Sequence, residues 1–291
     1  MNGAVELSII IVNWNVRDLL QANLARLFSL TSSHGFEVIV VDNGSEDGSV
    51  AMVKEQFPHV HLIRNEGNRG FAYAVNQGLR VAKGSVLLLL NPDMLVNEGA
   101  IDHTVETLMR QMDIGIMSVL LKREDGTVVA SVRRDPQFVD QLAILLKLPH
   151  LFPKVIDYYL AKDFDYTRSQ NVDQVRGSFF AFRRDVYEKI GPFDAKNFFI
   201  WFEEVDFCKR VRQAGYRIWY SAEVTCTDLV GRSFRQRTAR WKQYHLSRSM
   251  AYYFKKWQPA WQAMIIFALR PVAVLSGCVI DLIGAKSRLW K

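Results

Sequence analysis

Short apolar runs, each closed by a polar loop and followed by a stretch with helical spacing, set the pattern of the first ninety residues. Glu6–Val12 reads as a strand ending at Asn13-Trp14-Asn15, and Leu19, Leu20, Leu24, Leu27 and Phe28 predict a helix over Val16–Thr31. Phe36–Val41 is a second strand closed by Asp42-Asn43-Gly44-Ser45, with Glu46-Asp47-Gly48-Ser49 opening the next helix. Val60–Arg64 is a short third strand, Gly70–Val81 a helix, and Val86–Leu90 a wholly apolar strand of the kind buried on both faces of a parallel sheet. That strand stops at Asn91-Pro92-Asp93, because proline has no N–H for the ladder. The βαβαβ succession implies parallel pairing through right-handed crossovers. Ligands in such sheets gather at the carboxyl ends of the strands, which makes Asp93 a candidate for chemistry as well as for capping the helix expected over Asn97–Arg110.

Beyond Met112 the alternation weakens. Gly115–Leu121 and Val128–Val132 flank Asp125-Gly126, a hairpin signal that makes the sheet mixed. Phe138–Asp173 has apolar clusters without a clear period and is expected to be a variable, acceptor-side segment. Val175–Phe182 reads as a strand, Arg183–Ile190 as a short helix closed by Gly191-Pro192, and Ile218–Tyr220 and Val224–Thr227 as two last short strands. Between them, Val205, Cys208, Val211 and Arg212 recur at helical spacing, placing Glu203, Glu204 and Asp206 at a helix entrance beside Trp201 and Phe202. Acids there can simply complement the positive end of the helix. They can also serve as a general base in an aromatic pocket.

Charge divides the chain. Residues 229–291 carry a net charge of +11, with Asp281 as their only acid, whereas residues 1–228 sum to −4. A basic tail interleaved with aromatic residues suits a phosphate-bearing partner, and the acidic balance of the larger part disfavours nucleic acid. Trp261–Ile283 is strongly apolar, but Arg270-Pro271 is expected to cut it into an interfacial or re-entrant hairpin. Cys208, Cys226 and Cys278 have neither metal nor redox spacing, so a reducing compartment is expected. Ser8–Val12 is too short for a signal-peptide core, which fits a cytoplasmic start. Neither G-x-G-x-x-G after the first strand nor a Walker A loop is present, so phosphate is to be held differently, plausibly through a metal ion.

The order Val12-Asn13-Trp14-Asn15, Val41–Ser45, Asn68-Arg69-Gly70-Phe71-Ala72 with Asn76, Asn91-Pro92-Asp93, Gly177-Ser178-Phe179 and Trp201–Asp206 resembles glycosyltransferase family 2, in particular its rhamnosyltransferase-like branch, over roughly Leu7 to Ser233. The resemblance implies an α/β GT-A-type, Rossmann-like mixed sheet flanked by helices over residues 1–228, with a helical, membrane-associating appendage over 229–291. It implies inverting transfer of a sugar from a dTDP- or UDP-linked donor, assisted by Mg²⁺ or Mn²⁺, to a glycan or lipid-linked acceptor of cell-envelope polysaccharide at the inner face of a membrane. Carried over by position, Asn13, Asn15, Asp42, Asn68, Arg69, Gly70, Phe71, Asn76 and Asn91 line the nucleotide pocket. Asp93 binds the metal, with Asp228 standing where many relatives have a histidine. Glu204 is the base where the family usually has an aspartate, with Glu203 or Asp206 orienting the acceptor or replacing it. The stretch from Gln236 to Arg240-Trp241 is one residue too long for the Q-x-x-R-W of processive synthases, which favours transfer of single sugars. A sugar-phosphate nucleotidyltransferase, and a non-catalytic membrane scaffold on a degenerate transferase fold, are the competing readings.

Overall fold

The computed structural model describes residues 5–229 and 237–282; the expected features at Phe234, Arg235 and Gln236 lie outside them. The first half follows the predicted succession: β1 (Leu7–Asn13), α1 (Arg17–Ser29), β2 (Phe36–Asp42), α2 (Ser49–Gln56), β3 (His61–Arg64), α3 (Phe71–Val81) and β4 (Val86–Leu90). β3, β2, β1 and β4 lie side by side in that order, all parallel.

The second half departs from the prediction in instructive ways. The polypeptide leaves β4 through Asn91–Asp93 and at once forms β5 (Met94–Val96) before α4 (Ala100–Arg110). β6 (Ile114–Lys122) is followed by a turn in which the Val129 N–H donates to the Leu121 carbonyl, but the expected strand over Val128–Val132 shrinks to β7 (Val132–Arg133). α5 (Phe138–Leu145) leads into two 3-10 turns, Leu148–His150 and Pro153–Ile156. β8 is Gln170–Val172, and the single strand expected over Val175–Phe182 divides into β9 (Gln174–Val175), paired with β7, and β10 (Phe179–Arg183). Arg176–Ser178 turns between them, so a loop sits where unbroken apolar character suggested a strand.

α6 (Arg184–Ile190) and α7 (Glu203–Gln213) follow, and the two short strands expected near the end are one bent strand, β11 (Arg217–Asp228). Its register slips between Ser221 and Thr225, which the sequence reading took for a break. The completed sheet has the order β3-β2-β1-β4-β10-β6-β11-β5, with β8 on β11, and β10 antiparallel to β4. α8 (Ala239–Trp257) and α9 (Ala260–Leu282) close the described chain. Arg270-Pro271 does not split α9, which continues as one helix through Pro271.

Alternation within the apolar strands feeds two cores. Leu7, Ile9, Ile11, Val38 and Val40 face α1, α2 and α4, whereas Ile10, Ile39, Val41, Leu87 and Leu89 face α3, α6 and α7. A third cluster joins Phe198, Phe202 and Val205 to Met250, Ala251, Tyr253 and Phe254, so α8 shares a core with the segment carrying the acidic triplet. α3 lies unusually close to β1, because a Cβ at Gly78 would stand 2.5 Å from Ile10 Cγ2. Gly78→Ala is therefore expected to destabilise the fold by about 1–3 kcal/mol despite alanine's better helix propensity, read as a lowered midpoint in urea.

Candidate active site

Polar side chains at the carboxyl ends of β1 and β2 are tied to one another. Asn13 Nδ2 donates to Asp42 Oδ2 at 2.9 Å and to Ser45 Oγ at 3.1 Å, while Asp42 Oδ1 accepts from the Ser45 N–H at 2.8 Å. Asn15, in the left-handed region at φ 51°, accepts the Glu46 N–H through Oδ1 at 2.8 Å. Asn43 donates to the Gly70 carbonyl at 3.2 Å and accepts from Asn65 at 3.0 Å, which joins this rim to the Asn68–Phe71 loop. In that loop Asn68 Oδ1 accepts the Gly70 N–H, and Phe71 N–H reaches the Phe199 carbonyl at 2.8 Å. Gly70 has φ +91°, and a Cβ there would meet the Phe199 carbonyl at 2.6 Å. Arg69 is exposed, with its guanidinium 5.1 Å from the Tyr73 ring centre. Asn13, Asn15, Asp42, Asn68, Arg69, Gly70 and Phe71 thus form one rim. Asn76 does not join it, because its amide clamps the backbone of Phe193 at 2.8 and 3.0 Å.

The Asn91–Asp93 turn is fixed from beneath. Asn23, buried in the apolar stripe of α1, donates to the carbonyls of Asn91 (3.2 Å) and Met94 (2.6 Å), and the Asn91 N–H donates to the Ser178 carbonyl at 3.0 Å. Asn23 escaped the sequence reading, although a polar residue between Leu20, Leu24 and Leu27 was a usable signal. β5 pairs antiparallel with the end of β11, Met94 opposite Asp228, and the Leu229 N–H donates to the Asp93 carbonyl at 2.8 Å. Asp93 and Asp228, distant in sequence, therefore come within one residue of register, both largely buried. Burial and then both carboxylates push the Cys226 thiol pKa upward, a sign of concentrated negative charge. Two oxygen-bearing acids match the way Mg²⁺ is commonly held, by one or two carboxylates with substrate phosphates completing the shell. Among the described residues no cluster of three or more His, Cys, Asp or Glu could hold a metal by itself.

At the entrance of α7, Trp201 and Phe202 are both left-handed, at φ 62° and 66°. Such a conformation costs a bulky residue about 1–2 kcal/mol, and it sets the two following glutamates facing inward. Glu203 is buried, Glu204 is partly so, and the Oε2 atom of each is buried without a hydrogen-bond partner. Desolvation, then the neighbouring Glu204 charge, raises the Glu203 pKa well above the usual carboxylate range. Desolvation also raises Glu204, partly opposed by Arg176. Burial and mutual repulsion both oppose ionisation of the two carboxyls together. Asp206 is different: it is fully buried and wholly engaged, accepting from Arg210 Nε at 2.9 Å, Trp257 Nε1 at 2.8 Å and Lys256 Nζ at 2.6 Å.

A short stretch of chain links the acid pair to the turn that presents Asp93. Arg176, in the field of Glu204, is two residues from Ser178, whose carbonyl holds Asn91. Tyr159 stands in the field of Glu204 and of Asp140, and burial pushes the Tyr159 and Asp140 pKa values up to about 12 and about 6. Tyr159 and Asp140 carry no sequence signal, since the segment bearing them has no period, and Arg176 is hidden within a stretch that reads as a strand. Across this rim, the residues leading into α8 set the Arg237 guanidinium 3.8 Å from the Trp14 ring centre, and Trp241 and His245 pack beside Phe199. Burial lowers the His245 pKa to about 4, so its imidazole is neutral near pH 7.

Comparison with known proteins agrees with this geometry. The chain is 28% identical over 233 residues, covering 75% of each sequence, to the N-acetylglucosaminyl-diphospho-decaprenol L-rhamnosyltransferase of Mycobacterium tuberculosis. It is 28% identical over 220 residues, 73% of this chain and 64% of the other, to a low-salt glycan biosynthesis hexosyltransferase of Haloferax volcanii. Among solved structures, the mannosyltransferase PcManGT of Pyrobaculum calidifontis, in complex with GDP-Man and Mn²⁺, superposes with a TM-score of 0.57 at 20% identity, over 98% of this chain and 77% of that one. These neighbours share the GT-A fold expected from sequence. The sequence model described as Glycosyl transferase family 2 matches residues 8–191, and the chain is a glycosyltransferase belonging to that family.

Proposed function

We propose that the protein is an inverting, metal-dependent glycosyltransferase that moves one sugar, rhamnose or a related hexose, from a dTDP- or UDP-linked donor to a lipid-linked glycan of the cell envelope. The carrying observation is the pair Glu203 and Glu204, each with a buried oxygen lacking a partner at the entrance of α7. The rim of Asn13, Asn15, Asp42 and Asn68–Phe71 holds the nucleotide, with Asn91 closing its inner end. Asp93 and Asp228 would hold Mg²⁺ or Mn²⁺, which neutralises the charge growing on the departing diphosphate. Glu204 accepts the acceptor hydroxyl's proton as that oxygen attacks the anomeric carbon. The bond to the diphosphate breaks on the opposite face, inverting the configuration. Glu203, held protonated, orients the acceptor, and Asp206 positions α7 through its bonds to α8. Asn76 belongs to the scaffold of this pocket. The rhamnosyltransferase relative, whose name specifies a diphospholipid-borne sugar, supports the lipid-linked acceptor. The basic tail over 229–291 would bring the enzyme to the inner membrane face where such acceptors are presented.

Three measurements test this reading. Glu204→Gln is expected to lower kcat by about 10²–10⁴ while leaving donor KM within a few-fold, and an unchanged kcat would remove Glu204 from the reaction. Because burial raises the Glu204 pKa and the base acts ionised, kcat/KM rises with pH through a limb above the ordinary carboxylate range. Arg176→Ala removes a cation that favours the ionised form and moves that limb to higher pH. Asp93→Asn and Asp228→Asn should each abolish the Mn²⁺-dependent part of the thermal stabilisation by nucleoside diphosphate, read as the difference in Tm with and without metal.

A further inference from the structure

α9 is long and apolar enough to cross a bilayer, yet it is strapped lengthwise to the body of the protein. Ala263, Ile266 and Ala273 are buried against α8, and a Cβ at Gly277 would stand 2.8 Å from Arg240 Cα. At its far end Asp281 accepts the N–H groups of Ala239 (2.7 Å) and Arg240 (2.9 Å), capping α8. α8 in turn is fixed to α7 through Phe198, Phe202, Val205 and the bonds of Lys256 and Trp257 to Asp206. α8 also carries Arg240, Lys242, Arg248, Lys255 and Lys256, a set that hydrocarbon does not accommodate. A helix bound along such a partner cannot leave it to span a membrane.

The outward side of α9 is nonetheless apolar throughout. Trp261, Met264, Val272, Leu275 and Val279 are each at least half exposed, and Ala268 and Pro271 fill the stripe between them. The stripe continues into a second element, for the Phe138 ring of α5 lies 5.0 Å from that of Trp261. Beyond α5, the turn around Pro153 exposes Leu151 (74%) and Phe152 (64%) beside Lys154, with Tyr158 at its foot. Neither stretch has an acid between Asp140 and Asp157 or between Asp228 and Asp281, while Lys147, Lys154 and Arg270 punctuate them. Contiguous apolar surface on this scale, edged by cations and free of acids, has the composition of a helix that lies in a lipid interface.

We propose that the outward face of α9 and the Leu151-Phe152 tip together form one docking surface for an anionic bilayer, with α9 lying flat in the headgroup region and the tip inserted beside it. This deepens the membrane reading above and rests on it for its purpose: the tip precedes Tyr159, which stands in the field of Glu204, so docking sets the acceptor side of the site against the lipid surface.

The test is co-sedimentation of the whole protein with phosphatidylcholine vesicles with and without phosphatidylglycerol, comparing wild type with Leu151→Ser/Phe152→Ser and Leu275→Ser/Val279→Ser. Wild type should bind the anionic vesicles, weakening at high salt, and each double variant should bind about tenfold or more weakly. Both variants should keep the wild-type Tm and the wild-type rate on a water-soluble acceptor analogue. That rate reports on the glycosyltransferase reading independently of docking. Equal binding by wild type and variants, indifference to phosphatidylglycerol, retention in membranes after alkaline carbonate extraction, or a dimer in solution abolished by the same substitutions would each overturn the proposal.

Discussion

Two carboxyl groups side by side in a poorly solvated site, each with an oxygen lacking a partner, form an arrangement that a folded chain sustains only if its surroundings hold it in place. In this protein the surroundings do so through Trp201 and Phe202, whose left-handed backbones turn the chain sharply into α7, and through the Phe202 side chain, packed into the core shared with α8. Asp206, one turn inward, bonds to three side chains and anchors the same helix. Two acids left unsatisfied and one fully engaged thus stand within four residues. Unsatisfied groups are the ones with capacity left for a substrate.

The other half of the site obeys a different rule. Its asparagines and Asp42 are almost all spoken for by neighbouring loops, so the donor rim is pre-organised. Asn23 illustrates the economy of this design: from the apolar face of α1 it supplies two of the hydrogen bonds that fix the turn presenting Asp93. Pairing of β5 with β11 then sets Asp228 next to that turn.

Local pattern made the first half of the fold legible, because parallel strands buried on both faces announce themselves as continuous apolar runs and their helices keep strict spacing. It failed where tertiary contacts override local preference. Val175–Phe182 looks like one strand, but Val175 pairs with β7 and the last four residues with β4, forcing a turn at Arg176–Ser178. α9 runs through Pro271, supported by its packing on α8. The acidic triplet and the asparagine-rich loops were legible as residue types at strand and helix ends. Their division of labour was not, since only coordinates show that Asn76 clamps a backbone and Asp206 anchors a helix.

Anchoring of Asp206 also bears on how the enzyme can move. Its ties to Arg210, Trp257 and Lys256 fasten the start of α7, and with it the acid pair, to α8. On the rim opposite, Arg237 rests on the Trp14 and Trp241 indoles by cation–π contacts. A contact of that strength, about 0.5–2 kcal/mol, can be exchanged for a phosphate and restored within each catalytic cycle.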